Sequence, residues 1–104
     1  MPSQQLDMFD GSLGEAVPAA PQGIDATLNE RGTRYGDFGE HARITQAIKQ
    51  AMVDSPNWYV LPSPMKESLD MIAHKIGRIL NGDPSYKDSW TDIVGYARLV
   101  EKTL

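Results

Sequence analysis

The sequence contains no cysteine, no long run of apolar residues and no excess of basic residues. The absence of cysteine excludes a disulfide framework and thiolate metal sites, and it fits a reducing compartment. No apolar run is long enough to span a bilayer, and no basic segment followed by an apolar one opens the chain. We therefore expect a cytoplasmic protein that makes no membrane contact.

Charge points away from direct nucleic-acid binding. The 14 acidic residues outnumber the 10 basic ones, and the net charge at pH 7 is −4. Proteins that coat DNA or RNA need a basic excess to neutralise phosphates. A small phosphorylated ligand held through a divalent metal stays compatible with this balance.

The 104 residues allow one small domain. Residues 10–23, DGSLGEAVPAAPQG, combine Gly, Pro, Ala and Ser without apolar periodicity, which predicts a tether. We therefore expect a flexible N-terminal arm over residues 1–23 and a helical domain over residues 24–104. Because so small a domain buries a limited share of its surface, a homo-oligomer is expected, most simply a dimer.

Four helices are predicted from apolar residues that recur three and four positions apart. The first begins near Ile24 and stops at Gly32, and the second spans residues 37–53, with Asp37 as its N-cap. Ser63 is the predicted N-cap of the third helix, which closes with a left-handed cap at Asn81-Gly82. The fourth starts from Asp83-Pro84 and runs nearly to the end of the chain. No segment alternates as a strand would, so the expected fold is an all-α bundle of three or four helices.

Apolar stripes on the last two helices are the predicted core. Their members are Met65, Leu69, Ile72, Ile76, Ile79 and Leu80 on the third helix, and Tyr86, Trp90, Ile93, Ala97, Val100 and Leu104 on the fourth.

Charged residues lie opposite these stripes. They are Glu67, Asp70, Lys75, Arg78 and His74 on the third helix, and Asp88 and Asp92 on the fourth, where Tyr96 and Leu99 share the ridge. One interpretation is two solvated faces with ordinary ion pairs. The other is a partly dehydrated cleft in which the four carboxylates need a cation, for which Mg²⁺ is the natural candidate. His41 and His74 show no metal-ligand spacing, and a lone histidine on a polar helix face is usually exposed.

Two family resemblances bear on this choice. The segment MKESLDMIAHKIGRILNGDPSYKDSWTDIVGYARLVEKTL resembles the C-terminal half of small helical proteins common in phages and prophages, whose function is not established, and RYGDF similarly precedes a helix there. The likeness covers residues 28–104. More distantly, the chain is similar to all-α NTP pyrophosphohydrolases of the MazG and dimeric dUTPase type, which hold Mg²⁺ with an acidic pair on each of two helices.

The second resemblance implies a nucleotide site. Glu67-x-x-Asp70 matches the first acidic pair, with Glu67 and Asp70 in the catalytic role. Asp88-x-x-x-Asp92 stands for the second pair but departs from the pattern, since its spacing is four rather than three. The implied metal ligands are Glu67, Asp70, Asp88 and Asp92, and the implied nucleotide contacts are Lys75, Arg78 and Tyr96.

A short linear motif lies near the start of the chain, in SQQLDMFDGS. Residues Gln5, Leu6, Asp7, Met8 and Phe9 resemble the peptide with which many bacterial proteins dock on the DNA sliding clamp. In such a peptide the glutamine bonds at the pocket rim and the apolar residues fill hydrophobic subsites. The alternative is that this segment folds back onto the domain.

These observations lead to two functional hypotheses. The first is a phage-encoded accessory protein that binds or hydrolyses nucleotides through an acidic Mg²⁺ cleft. The second is a non-enzymatic phage protein that binds host machinery, either the sliding clamp through QLDMF or a defence component.

Overall fold

The computed structural model describes residues 21–104, with side-chain surroundings from residue 23 onward. In chain order it contains α1 (Pro21–Tyr35), α2 (Phe38–Val53), a 3-10 helix (Trp58–Val60), α3 (Ser63–Asn81) and α4 (Lys87–Glu101). None of these residues forms a strand. The prediction of an all-α helical bundle is confirmed.

The chain divides into two compact units, Met1–Arg31 and Gly32–Leu104. In the described part of the first unit, the Thr27 hydroxyl donates to the Gly23 carbonyl at 2.9 Å, and Ile24 and Leu28 are exposed. The second unit contains the last turn of α1 and the whole of α2, α3 and α4.

α1 ends three residues later than predicted, because Gly32 does not stop it. A glycine inside a helix costs about 1 kcal/mol relative to alanine but does not by itself turn the chain. Gly36 does, with a φ of 80°, and its N–H donates to the Gly32 carbonyl at 2.8 Å. This single bond is the usual closure of a helix by a left-handed glycine.

The other helix ends confirm one predicted cap and correct three. Asp37 caps α2, since its carboxylate accepts from the backbone N–H of Glu40 at 2.9 Å. Ser63 is instead the first residue of α3 and makes no capping bond. Gly82 ends α3 with a φ of −123°, so the predicted left-handed cap is wrong. α4 begins only at Lys87, because Asp83 first forms a turn in which its carboxylate accepts from the Ser85 N–H.

α3 packs against α2 on one side and against α4 on the other, whereas α2 and α4 share little or no contact. We refer to α2, α3 and α4 together as the helical layer. Since α3 is antiparallel to both neighbours and touches them on opposite sides, the remaining two sides of α3 form the two faces of this layer.

The apolar stripes predicted as the core are not the buried part of the structure. Among the described residues, Ala73 is the one buried apolar side chain, at 1% exposure. The other buried side chains are polar or charged: His41, Thr45, Ser68, Lys75 and Ser89. Most members of the predicted stripes lie on one side of the layer, and all of the members are half-buried or exposed. Tyr86 is an exception in position, since its ring meets that of Tyr35 at the end of α1.

Candidate functional site

One face of the helical layer is apolar across all three helices. Helical spacing and the contact sides of α3 place the predicted stripes, except Ile79, Tyr86 and Ile93, together with two isoleucines of α2 on this side. We call it the apolar face: Ile44, Ile48, Met65, Leu69, Ile72, Ile76, Leu80, Trp90, Ala97, Val100 and Leu104. Several members stand well out from the surface, with exposures of 65% for Leu80, 52% for Trp90 and 87% for Leu104. Contiguous exposed apolar surface of this kind marks an interaction site.

A groove runs along the apolar face between α3 and α4. Its volume is about 380 Å³. The lining is almost entirely apolar: Leu61, Met65, Leu69, Ile72, Ala97, Val100 and Leu104, with Ser68 and Glu101 beside them. The groove lies at the end of the layer where α3 begins and α4 ends.

The contact between α3 and α4 is polar at its centre. The Ser68 hydroxyl donates to the Tyr96 carbonyl at 2.7 Å. Lys75 is 3% exposed, and its ammonium lies 2.8 Å from a carboxylate oxygen of Asp92. Because the Asp92 side chain is 41% exposed, water reaches one end of this pair while the lysine end is buried.

The contact between α2 and α3 contains two histidines that lie against each other. The rings of His41 and His74 are perpendicular, with centroids 4.7 Å apart, and His41 Nε2 lies 3.4 Å from His74 Nδ1. The Thr45 hydroxyl lies 3.4 Å from the same His41 nitrogen. Gly77 makes this approach possible, since a Cβ there would lie 2.2 Å from the Thr45 hydroxyl oxygen.

Both histidines are held neutral. Burial lowers the pKa of His74 to about 3, and the positive charge of Arg78 acts in the same direction. Burial, and then Arg78, also lower the pKa of His41. The expectation of two separate exposed histidines is therefore wrong. The signal in the sequence was a small residue one turn from each ring, Thr45 after His41 and Gly77 after His74.

Arginine and tyrosine side chains join the last turn of α1 to α3 and α4. The Arg78 guanidinium lies 4.0 Å from the centre of the Tyr35 ring, and that of Arg34 lies 4.6 Å from the Tyr86 ring. The two tyrosine rings meet edge to face, with centroids 5.9 Å apart. Cation–π contacts of this type stabilise a structure by about 0.5–2 kcal/mol each.

The predicted nucleotide-contacting residues are thus engaged within the chain. Lys75 pairs with Asp92, Arg78 stacks on Tyr35, and the Tyr96 carbonyl accepts from Ser68. The predicted metal ligands differ from one another. Asp88 accepts from the Tyr86 hydroxyl at 3.1 Å, whereas Glu67 and Asp70 have no ion-pair partner among residues 23–104.

The four predicted acids do not come together as one group. Across the described residues, no cluster of three or more His, Asp or Glu side chains is placed to hold a metal ion. The carboxylate of Asp92 is neutralised by Lys75. The Mg²⁺ site stays a prediction, and no step of chemistry is derived through it here.

The sliding-clamp motif, Gln5 to Phe9, lies outside the described residues.

Trp58 and Tyr59 form the 3-10 helix, where the Lys66 ammonium lies 5.9 Å and 5.8 Å from their ring centres. In residues 21–104, none of the helices has the length and apolar character needed to cross a membrane.

Comparison of the chain with protein-family models, curated proteins and solved structures gives no match.

Proposed function

We propose that the chain is a non-enzymatic interaction protein, phage-encoded and acting in the bacterial cytoplasm, that engages host machinery. The observation that carries the interaction role is the apolar face, while the contact with host machinery is assigned to the QLDMF segment. A folded layer that buries Ala73 and leaves large apolar side chains such as Leu80, Trp90 and Leu104 more than half exposed is built to contact another protein surface.

The polar interior supports the same proposal. Several buried groups in the layer are engaged with neighbouring side chains, as Lys75 is with Asp92 and His41 Nε2 with His74, although His41 Nδ1 has no hydrogen-bond partner. Such pairs hold the three helices in register but leave few buried groups available for chemistry. The apolar face offers a partner more surface than these polar groups do, and the predicted homo-oligomer would form on it.

The QLDMF segment is the proposed contact with the bacterial sliding clamp. We expect the full-length chain to bind purified clamp, and the double substitution Leu6→Ala and Phe9→Ala to weaken binding at least tenfold, because both apolar anchors are lost. Fluorescence anisotropy or calorimetry measures this. Gln4→Ala, one residue before the motif, is the matched control and should bind as the unchanged chain does. An intact chain that does not bind clamp would remove this part of the proposal.

Nucleotide binding or hydrolysis with Mg²⁺ is the second candidate. Glu67 and Asp70 favour it, since they lie one turn apart on α3 and neither has an ion-pair partner among residues 23–104. As a non-enzymatic protein, the chain should release no pyrophosphate from a panel of NTPs and dNTPs with Mg²⁺ or Mn²⁺. Release that is lost in Glu67→Gln but kept in Glu40→Gln, an exposed acid on α2, would establish the enzyme instead.

A further inference from the structure

We infer that the partner of the apolar face is a second copy of this chain, and that two helical layers stack face to face with their α3 helices antiparallel. The inference rests on the proposed role of this face as a docking surface and names its occupant.

The first argument is the stability of the layer. Apolar burial is the dominant favourable term in folding, and among the described residues of this layer Ala73 is the one buried apolar side chain, while the others are half-buried or exposed. A hydrogen bond such as that of Ser68 contributes no more free energy than the ordering of one residue costs. The layer needs its apolar face covered whenever it is folded. A second copy is a partner that is present whenever the chain is made.

The second argument is the area of the face. Leu69, Leu80 and Leu104 are 40%, 65% and 87% exposed, and Trp90 is 52% exposed. With about 100 Å² for a fully exposed leucine-sized side chain and about 200 Å² for an aromatic one, the whole face offers on the order of 500 Å² of apolar surface. Homodimer interfaces are about 65% apolar, so this corresponds to about 800 Å² per chain, the usual size of a stable interface.

The third argument is shape. The groove lies at the end of the face where α3 begins, lined by Met65 and Leu104. The projecting side chains of Leu80 and Trp90 lie at the opposite end, where α3 ends and α4 begins. The Trp90 indole N–H donates to the Pro84 carbonyl at 2.8 Å, which fixes the ring.

A two-fold axis across the middle of α3 would bring these features together. It places Leu80 and Trp90 of each copy over the groove of the other. The interface then contains two identical contacts, each between projecting side chains and a groove. Such self-complementarity is what an isologous interface requires. A parallel arrangement of the α3 helices would instead set α4 of each copy over α2 of the other, so that neither groove would meet Leu80 and Trp90 of the partner.

Solution mass and thermal stability of the full chain test the pairing. Two chains of 11.5 kDa should sediment as one species of twice that mass, and the melting temperature should rise with protein concentration, because dissociation accompanies unfolding. Leu69→Glu places a charge in the middle of the face and should give monomeric or unfolded chains. Leu99→Glu is the matched control, since Leu99 is also exposed, at 55%, but lies on the other face of the layer.

Cysteine cross-linking tests the arrangement without relying on a disruptive variant. The chain has no cysteine, so Ile72→Cys, at the middle of α3, introduces a single thiol. With antiparallel α3 helices the two thiols lie near the axis, and oxidation should give a disulfide-linked dimer on a denaturing gel. Leu99→Cys under the same conditions should stay monomeric.

Three results would overturn the inference: a monomeric chain whose melting temperature is independent of concentration, a dimer that survives Leu69→Glu, or cross-linking by Leu99→Cys in place of Ile72→Cys. A monomer that still binds the sliding clamp would leave the proposed function intact and refute only the pairing. A dimer that binds no clamp would leave the pairing intact and refute only the proposed clamp contact.

Discussion

Replacing Asp92 with asparagine is expected to lower the free energy of unfolding by about 2–3 kcal/mol, because the substitution leaves a buried ammonium without a counter-charge. The ammonium is that of Lys75, whose side chain is 4% exposed against 41% for Asp92. The neutral amide can accept a hydrogen bond but cannot balance the charge. Urea denaturation at pH 7 measures the loss.

Because Lys75 is buried and Asp92 is partly exposed, replacing one or the other should change the free energy of unfolding by different amounts. Lys75→Met removes the buried charge and leaves a carboxylate that water can hydrate, so it should cost less than Asp92→Asn. The double variant should be more stable than Asp92→Asn alone. Asp88→Asn, an exposed acid one turn earlier on α4, is the control and should change stability by less than about 0.5 kcal/mol. Equal losses in Asp88→Asn and Asp92→Asn would contradict the buried pair.

This pair also decides how the nucleotide candidate can be tested. Loss of activity in Asp92→Asn would not separate a metal ligand from a support of Lys75. Glu67→Gln has no such second effect among the described contacts, so it is the cleaner variant.

Acidification is expected to destabilise the layer through the two histidines. The unfolded chain takes up a proton on each ring near pH 6.5, whereas the pKa of His74 in the folded chain is about 3. Stability from the neutral ring is therefore complete above pH 6.5 and is lost as the pH falls toward 3. At about 1.4 kcal/mol per pH unit, His74 alone should cost about 2.5 kcal/mol between pH 7 and pH 4.5.

Positive charges around the two rings act in the same direction, because they also oppose protonation of the histidines. On α2, Lys49 lies near both histidines, and on α3, Lys75 and Arg78 do so. Protonation would add two positive charges to these three. The measurement is urea denaturation at several pH values above 4.5, where most carboxylates stay ionised.

A matched variant isolates the histidines from other titrating groups. Replacing both rings, His41→Gln with His74→Gln, should flatten the dependence of stability on pH over that range, even if the variant is less stable at pH 7. An NMR titration in which the His74 ring changes charge near pH 6.5 would contradict the prediction directly.

The helices of this protein could be predicted from its sequence because periodicity and chain breakers are local signals. Spacing of three and four residues identified all four α-helices, and Asp37 was recognised as a cap. The 3-10 helix over Trp58–Val60 was not predicted. The helix ends were less predictable. Gly32 continues α1, Gly36 ends it with a positive φ and a close approach to Asn81, and Gly82 ends α3 with a negative φ. Which glycine ends a helix therefore depends on the packing around it.

The interior was not predictable from the same signals. An apolar stripe shows which side of a helix avoids water, but it does not show what covers that side. Here α2 and α4 contact α3 on its flanks, so the residues between the stripes, such as Lys75 and Ala73, became the buried ones. The histidine pair joins positions 33 residues apart, and only the packing of α2 on α3 brings them together.

The junction between α1, α3 and α4 carries a consequence for sequence variation. The Asn81 amide donates to the carbonyls of Tyr35 and Asp37, and the Asp83 N–H donates to the Arg34 carbonyl at 2.6 Å. A Cβ at Gly36 would lie 2.2 Å from the Asn81 carbonyl oxygen, and one at Gly82 would lie 2.1 Å from that of Arg34. Any descendant that keeps this crossing must therefore retain both glycines and the short amide, while most surface positions remain free to drift. Distant relatives that fold in this way should therefore share Gly36, Asn81 and Gly82 even where the rest of their sequence differs.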